Sequence, residues 1–312
     1  MNNDRVYIAG HSGLVGSALV RRLQSATDSK LIVRSRRELD LTDGSAVERF
    51  FATERPTQVY LAAARVGGIL DNDIRPVDFI RDNLLIEANV IHAAWLHGVK
   101  KLMFLGSSCI YPRLAPQPMR PSNLLCGPLE PTNQAYAIAK IAGVELCRAY
   151  RRQYGFNAIT VMPTNLYGPG DRFDPLHSHV LPSLMLRFDE TLRQGQRKIT
   201  VWGTGRPRRE FLYVDDLADA LVTVMDRYDG EIPINIGCGE DISIAEIARL
   251  LAKVTGFTGD IIFDPSKPDG APQKLLDVGP LFAMGWRPSI TLEDGLTRTW
   301  QWFCEHRAAL RS

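Results

Sequence analysis

Short apolar runs alternate with longer amphipathic stretches over the first half of this chain. The runs suit buried strands, and in the stretches apolar residues return every three or four positions, which is the helical period. The pattern predicts strands at 6–9, 31–34, 58–62, 102–106 and 158–162. It predicts helices at 13–24, 43–54 (capped by Thr42), 83–97 and 135–154. Regular alternation of this kind is typical of a parallel sheet with helices on both faces.

The pattern changes after Pro163. A loop rich in Gly, Pro and Asp is expected at 165–174, and a basic turn at 203–209. Further helices are predicted at 215–227, 244–255 and 292–311, and further strands at 233–237 and 260–263. We therefore expect an α/β fold with two domains. Their predicted extents are 1–165 with 211–240 for a doubly wound parallel sheet, and 166–210 with 241–312 for a smaller mixed α/β domain.

Composition and charge exclude several classes of protein. The 312 residues carry 37 basic and 35 acidic side chains, a net charge of +2, which is not the footprint of a nucleic-acid-binding protein. No apolar run is long enough to cross a membrane, and the first residues lack the apolar core of a signal peptide. Five cysteines without a C-x-x-C pair indicate neither a disulfide framework nor a zinc site. We expect a cytoplasmic protein without a metal.

Three glycines lie in the turn between the first predicted strand and helix. They follow the spacing G-x-x-G-x-x-G, which differs from the G-x-G-x-x-G of many dehydrogenases. Glycines here permit a tight turn and let the backbone approach a pyrophosphate at the helix N-terminus. An ordinary glycine turn is the alternative, but the strand–turn–helix position favours a dinucleotide in a Rossmann-like domain. The expected contacts are Gly10, His11, Ser12, Gly13, Leu14, Val15 and Gly16.

A basic segment follows the second predicted strand. NAD-specific sites carry an acidic residue there for the ribose hydroxyls, whereas this chain has three arginines within 34–37. A guanidinium suits the 2′-phosphate of NADP, so NADP is the expected cofactor and Arg36 its expected ligand. A solvated basic turn is the alternative.

A tyrosine and a lysine occupy one face at the start of the long helix predicted at 135–154. Tyr136 and Lys140 are four residues apart, and an ammonium beside a phenol is expected to lower the pKa of the phenol. Ser107 follows the strand at 102–106, at the carboxyl edge where parallel sheets bind ligands. An ordinary helix-face pair is the alternative. Together with the glycine turn, the three residues resemble the extended, sugar-nucleotide branch of the short-chain dehydrogenase/reductase superfamily.

The resemblance narrows to the GDP-L-fucose synthase family in several segments. They are 106–112, 130–133, 136–143, 162–169, 201–205, 209–212 and 267–270. The similarity runs from about residue 5 to about residue 305. It implies an NADPH-dependent enzyme that epimerises GDP-4-keto-6-deoxy-D-mannose at carbons 3 and 5 and reduces it at carbon 4.

The resemblance also implies a role for each catalytic residue. Cys109 is the expected base and His179 the expected acid of epimerisation. Ser107 would bond the keto oxygen, Tyr136 would protonate it, and Lys140 would hold the nicotinamide ribose. A thiol and an imidazole exchange protons near neutral pH with modest tuning. A buried apolar role for Cys109 and a helix-start position for His179 are the alternatives.

Further ligands follow from the same resemblance. The expected cofactor contacts, besides Lys140 and His179, are Leu105, Gly106, Ser107, Ser108, Pro163, Thr164, Asn165 and Leu166. The expected GDP-sugar contacts are Arg187, Trp202, Arg209 and Asp269, for which a surface Arg, a core Trp and a loop Asp are the alternatives. The family is usually a homodimer built through helices of the cofactor domain, so a homodimer is expected.

Some positions depart from the family pattern. Ser12 replaces an Arg, Arg187 a Lys and Gln273 an Arg, and Arg172 and Asp174 replace an Asn and a His. None belongs to the catalytic set. They leave room for an alternative, a C4-reductase of a related GDP-4-keto-deoxy sugar with one epimerisation or none. A second alternative is an NADP-binding protein without turnover.

Overall fold

The computed structural model describes residues 4–25, 29–174, 178–267 and 269–310. Pro268 of the segment 267–270 and Arg311 of the last predicted helix lie outside them. The strands are β1 (Arg5–Ala9), β2 (Lys30–Ile32), β3 (Gln58–Leu61), β4 (Lys101–Leu105), β5 (Ala158–Pro163), β6 (Asn165–Tyr167), β7 (Lys198–Trp202), β8 (Arg208–Arg209), β9 (Phe211–Tyr213), β10 (Ile234–Ile236), β11 (Ile242–Ser243), β12 (Asp260–Asp264) and β13 (Gln273–Lys274). The helices are α1 (Leu14–Gln24), α2 (Gly44–Glu54), α3 (Ile69–Ile74), α4 (Pro76–Leu96), α5 (Gln134–Tyr154), α6 (Val180–Arg193), α7 (Val214–Arg227), α8 (Ile244–Thr255), α9 (Gly279–Ala283) and α10 (Leu292–Leu310).

A six-stranded sheet forms the centre of the molecule. Its strand order is β10-β5-β4-β3-β1-β2, and every neighbouring pair is parallel. The order reverses at β1, which has β2 on one side and β3 on the other. This arrangement confirms the predicted Rossmann-like, doubly wound α/β sheet. In such sheets ligands bind beyond the carboxyl ends of the strands, at the point of reversal.

Both faces of this sheet are covered by helices. Along β1, Tyr7 and Ala9 pack with α2, α4 and α5, while Val6 and Ile8 pack with α1 and α7. Successive side chains of a strand point to opposite faces, so a strand buried on both sides is apolar throughout. The continuous apolar runs that predicted the strands have this cause.

The observed helices correct two sequence-based predictions. Asp43, not Thr42, caps α2: its carboxylate accepts a hydrogen bond from the Ala46 N–H at 3.0 Å, while Thr42 donates its hydroxyl to Asp40. Helix α4 begins at Pro76 rather than at residue 83. Its first turns carry Asp78, Arg81 and Asp82, and these charges hide the helical pattern in the sequence.

The second half of the chain has its own apolar cluster. It joins α6, α8 and α10 to β7 through side chains such as Leu184, Ile199, Leu251 and Phe303. Helix α6 was not predicted, and the expected loop at 165–174 contains β6, which pairs in parallel with β9. The expected basic turn at 203–209 ends in β8, the middle strand of a small sheet with the order β11-β8-β13.

Candidate active site

The three glycines of the first turn differ in whether the fold leaves space for a side chain. Gly10 has a φ of 85°, and a Cβ there would lie 2.7 Å from Ala63 Cα. A Cβ on Gly16 would lie 2.1 Å from the Gly10 carbonyl oxygen. A Cβ on Gly13 would meet nothing closer than that oxygen, at 3.5 Å. The fold itself therefore requires Gly10 and Gly16, whereas Gly13 leaves open space at the start of α1, as a phosphate-binding turn needs.

The basic segment offers two exposed arginines to a ligand, Arg36 and Arg37. Arg34 donates to Glu54 and to the Val33 carbonyl, so its guanidinium is held. The Arg36 side chain is 72% exposed, and among the described residues its ion-pair partner is Asp40, at 3.9 Å. In the glycine turn, His11 Nδ1 is buried without a hydrogen-bond partner among the described residues. An exposed guanidinium, an unpartnered buried nitrogen and the space at Gly13 together fit a phosphate-rich dinucleotide.

The ends of β4 and β5 form the next part of the same edge. The Gly106 N–H donates to the Val161 carbonyl at 2.8 Å, and a Cβ on Gly106 would lie 2.4 Å from Met162 Sδ. The Thr164 N–H donates to the Ile236 carbonyl, and the Asn165 side chain donates to the Glu210 carbonyl. The predicted segments 105–108 and 163–166 are therefore neighbours on a fixed backbone.

Ser107, Cys109 and Tyr136 come together beside these segments. The Cys109 N–H donates to Ser107 Oγ at 3.2 Å, and the Tyr136 hydroxyl is hydrogen-bonded to Ser107. The Tyr136 ring also packs edge-on against Phe79, with centroids 6.4 Å apart. A serine hydroxyl and a phenol side by side can hold one carbonyl oxygen between them.

The pKa of Tyr136 moves in the opposite direction to the prediction. Burial raises it most, the neighbouring Cys109 and Glu87 raise it further, and only the hydrogen bond from Ser107 lowers it. Lys140 was expected to lower this pKa. Its ammonium instead lies 3.1 Å from the Glu87 carboxylate and 3.0 Å from the Leu105 carbonyl oxygen. The phenol is therefore protonated at neutral pH in this structure.

Lys274 lies beside Cys109, and its charge acts on His179. The sequence did not predict this residue. Its Nζ lies 3.8 Å from Cys109 Sγ. His179 precedes α6 and is exposed. The protein packed around it and the positive charge of Lys274 both lower the pKa of His179. Strand β13 carries Lys274 and lies beside Arg209 of β8, far from Cys109 in sequence, so no sequence motif links the two.

The predicted sugar-nucleotide residues also lie together. Trp202 is 54% exposed, which excludes a core position, and Arg187 lies 4.4 Å from its ring centroid. Next to it, the Asp269 carboxylate accepts hydrogen bonds from the N–H and hydroxyl of Thr204. The Arg209 guanidinium interacts with both Asp269 and Cys109. An open depression of about 270 Å³ is lined by Arg206, Pro207, Asp269, Gly270 and Pro272.

Four of the departures from the family pattern bond to neighbours within the protein, among them Arg187, which donates to the Thr200 carbonyl. Gln273 donates to Asp241, which also accepts from Arg208. Arg172 lies 3.4 Å from Asp174 in an ion pair on the segment before His179. These side chains therefore have partners that do not belong to the predicted catalytic set.

Comparison with known proteins decides the family. The model of the NAD dependent epimerase/dehydratase family matches residues 6–237. This chain belongs to that family. Two of its relatives are GDP-L-fucose synthase 1 of Arabidopsis thaliana, 55% identical over 97% of this chain and 94% of the relative, and the GDP-L-fucose synthase of Escherichia coli K12, 54% identical over the full length of both.

A solved structure has the same architecture. It is a GDP-L-fucose synthetase from Naegleria fowleri bound to NADP, with a TM-score of 0.92 and 30% identity over 100% of this chain and 97% of that one. Among the residues described for the present chain, no group of three His, Cys, Asp or Glu side chains is placed to hold a metal. None of the described helices is long and apolar enough to cross a membrane.

Proposed function

We propose that this chain converts GDP-4-keto-6-deoxy-D-mannose to GDP-L-fucose with NADPH, by epimerisation at carbons 3 and 5 and reduction at carbon 4. One observation carries the proposal. Lys274 contacts Cys109 and its charge reaches His179, next to the hydrogen-bonded Ser107 and Tyr136. The Cys109 thiol thus lies close to a pair of hydroxyls suited to a keto oxygen, and together with the His179 imidazole these are the groups that epimerisation followed by reduction would require.

The residues of the sheet edge would hold the cofactor. The turn 10–16 would receive the pyrophosphate at the start of α1, and Arg36 the 2′-phosphate. The segments 105–108 and 163–166, with His179, would line the nicotinamide half, and Lys140 would bind its ribose. NADPH, when bound, supplies a hydride for carbon 4.

Epimerisation would use Cys109 and His179. A ketone at carbon 4 acidifies the C–H bonds at carbons 3 and 5, so a thiolate can remove the proton. Cys109 would take it, and His179 would return one to the carbon. The lowered pKa of His179 makes its protonated form a stronger acid but also a minor species at neutral pH, so only that protonated fraction would donate to carbon. Lys274 would stabilise the negative charge on the Cys109 sulfur.

Reduction would use Tyr136 as the proton donor. The keto oxygen gains negative charge as hydride reaches carbon 4, and the Tyr136 hydroxyl would protonate it while Ser107 donates a hydrogen bond. A raised pKa keeps the phenol protonated at neutral pH, and a donor must be in that state.

The GDP-sugar would bind on the side of the depression beside Asp269. The Arg209 guanidinium interacts with both Asp269 and Cys109. It can therefore bind the diphosphate of the GDP-sugar. The exposed Trp202 ring offers a flat apolar wall, and Arg187 on that ring adds positive charge. Asp269 holds the Thr204 turn and retains oxygen lone pairs for a ligand donor.

One reaction in D₂O tests this proposal. The protein is mixed with NADPH and GDP-4-keto-6-deoxy-D-mannose, NADPH consumption is followed at 340 nm, and the product is examined by NMR. We expect GDP-L-fucose with deuterium at both carbons 3 and 5. NADPH consumption with one deuterated carbon or none would replace it with the C4-reductase alternative. NADPH binding without consumption would favour a protein without turnover.

We further propose the domain division, the assembly and the compartment. The apolar cluster of α6, α8 and α10 supports a substrate domain made of 166–210 with 241–312, and the pairing of β10 with β5 supports a cofactor domain made of 1–165 with 211–240. Exposed apolar residues on α4 and α5 support a homodimer. The five free cysteines among the described residues support the reducing cytoplasm.

A further inference from the structure

A buried ion pair joins α4 to the catalytic face of α5. Glu87 of α4 and Lys140 of α5 are each 2% exposed, and their charged atoms are 3.1 Å apart. The Lys140 ammonium also donates to the Leu105 carbonyl at 3.0 Å and lies 4.7 Å from the centroid of the Phe104 ring. One N–H of the ammonium is thus directed at the Leu105 carbonyl oxygen, and the Glu87 carboxylate holds the same ammonium in an ion pair.

The space for the Glu87 carboxylate is formed by a glycine. Tyr136, Lys140, Gly143 and Cys147 follow helical spacing, so they share one face of α5. A Cβ on Gly143 would lie 2.7 Å from Glu87 Oε2 and 2.4 Å from the Phe104 ring. Any larger residue at 143 would therefore push the carboxylate away from Lys140. Helix α5 accommodates this acid at the position where it meets the lysine of the catalytic face.

The pair is difficult to explain by stability alone. Burying two charges costs several kcal/mol each, and apolar residues of similar volume are often as stable or more stable. Burial raises the pKa of Glu87, and Lys140 opposes this effect. Removing one partner leaves a buried charge without compensation, so each charge depends on the other.

We propose that Glu87 is a positioning residue of the active site: its carboxylate compensates the charge of the buried Lys140 ammonium and holds it in place for the cofactor ribose. This inference rests on the proposed function in assigning Lys140 to the ribose. Glu87 touches neither substrate nor cofactor in this scheme, and acts through Lys140 alone. The other titratable groups that interact with the pair are Tyr136 and Cys147 of α5, and Cys109 faces Tyr136 from the turn after β4.

The pH dependence of the Glu87→Gln variant tests the proposal. Glutamine keeps the shape but removes the counter-charge, so the buried ammonium would be left without compensation and its charged form would be less stable. The loss of the Glu87 charge also favours ionisation of Tyr136, since that charge raises its pKa. Both effects lower the pH at which activity is lost. We expect the alkaline limb of NADPH-dependent reduction to move down by about one pH unit or more, a loss of about tenfold on that limb that recovers as the pH is lowered.

A purely structural role would give a different result. It would lower kcat by one factor at every pH, with the alkaline limb in place, and that outcome would overturn the proposal, as would an unchanged profile. Glu87→Asp keeps the charge but withdraws it by one methylene, so a smaller shift in the same direction is expected. If Glu87→Gln does not fold, an unshifted limb in Glu87→Asp counts against the proposal. Glu145→Gln is the matched control, since Glu145 of α5 is 43% exposed and pairs with Arg148.

NADPH affinity provides a measurement that needs no turnover. Fluorescence titration of NADPH across pH is expected to show affinity lost at lower pH in Glu87→Gln than in the unaltered protein. The same midpoint in both proteins would overturn the role assigned to Glu87. A protein that binds NADPH but does not reduce the keto sugar would refute the proposed function, while this titration would still decide the role of Glu87.

Discussion

Burial and three neighbours set the protonation of Tyr136. Burial, Cys109 and Glu87 favour the neutral phenol, and the Ser107 hydrogen bond favours the phenolate. The neutral form prevails, and it is the form that can donate a proton to a keto oxygen. Lys140 is held by Glu87 and Leu105, so its contribution depends on the geometry of that contact rather than on proximity along α5.

Replacing Cys109 separates the two halves of the proposed reaction. In Cys109→Ser, the hydroxyl is far less acidic than a thiol, so it is a poor base at neutral pH. We expect deuterium exchange at carbons 3 and 5 to fall by about 10² to 10⁴-fold. Hydride transfer to a 4-keto sugar already in the product configuration is expected to fall much less. NMR of the exchanged sugar and NADPH absorbance measure the two rates.

A second cysteine supplies the control for this experiment. Cys126 is exposed and its thiol bonds only to nearby backbone carbonyls, so Cys126→Ser should leave both rates unchanged. Equal losses of exchange and hydride transfer in Cys109→Ser would remove the base assignment.

The residues found by motif differ from those found only in the structure. Ser107, Tyr136 and Lys140 stand at fixed positions relative to one strand and one helix, so spacing alone suggested them. Lys274 contacts Cys109 across 165 positions of chain, and Glu87 reaches Lys140 from another helix. Such contacts depend on how elements pack, and one sequence does not contain that information.

Long periodic elements were predictable, and short ones were not. The helix predicted at 244–255 agrees with α8, whose Ser243 and Glu246 form a reciprocal capping pair. Strands β8, β11 and β13 have two residues each, too few to show any period. Helix α6 was hidden because Pro182 interrupts its first turn and Asn165 to Asp174 before it suggests loop.

The turn before α1 yields a prediction at the scale of an element. Gly13 has space for a Cβ and an ordinary φ of −80°, so Gly13→Ala should change the free energy of unfolding by less than about 1 kcal/mol. The new methyl group would fill the space proposed for the pyrophosphate. We expect NADPH affinity to fall by about tenfold or more, measured by fluorescence titration, with the denaturant midpoint retained.

Gly16→Ala is the contrasting variant. Alanine favours a helix by about 1 kcal/mol over glycine, but overpacking costs about 1–3 kcal/mol or more. The Cβ would lie 2.1 Å from the backbone oxygen of Gly10, so the clash should dominate. We expect a lower denaturant midpoint for Gly16→Ala. Unchanged NADPH affinity in Gly13→Ala would show that the ligand does not approach that turn.

The whole molecule places its site where separate stretches of chain meet. The carboxyl edge of the central sheet brings the turns after β1, β4 and β5 together, and β8 and β13 add Arg209 and Lys274 from the second half. The alternating pattern predicted the sheet, because a doubly wound fold repeats one unit. The contacts between halves have no such repeat, so the contact of Lys274 with Cys109 became visible only in three dimensions.

The outer face of α4 and α5 yields the prediction for the assembly. Leu84 and Ile138 are 37% and 40% exposed, and Ile138 points away from the catalytic face because it is two residues from both Tyr136 and Lys140. In a two-fold dimer each substitution occurs twice, so four new carboxylates would lie in one interface. Their mutual repulsion across the interface would cost several kcal/mol. We expect Leu84→Glu with Ile138→Glu to convert a particle of twice 34.8 kDa into one of 34.8 kDa, measured by light scattering.

Ile232→Glu is the control for this surface. Ile232 is 64% exposed and lies just before β10, at the amino end of that strand and away from α4 and α5. A glutamate there should therefore leave the mass of the particle unchanged. A monomeric unaltered protein, or a double variant that keeps twice the chain mass, would exclude a dimer through α4 and α5. If the double variant is monomeric and still binds NADPH, the cofactor edge is complete within one chain.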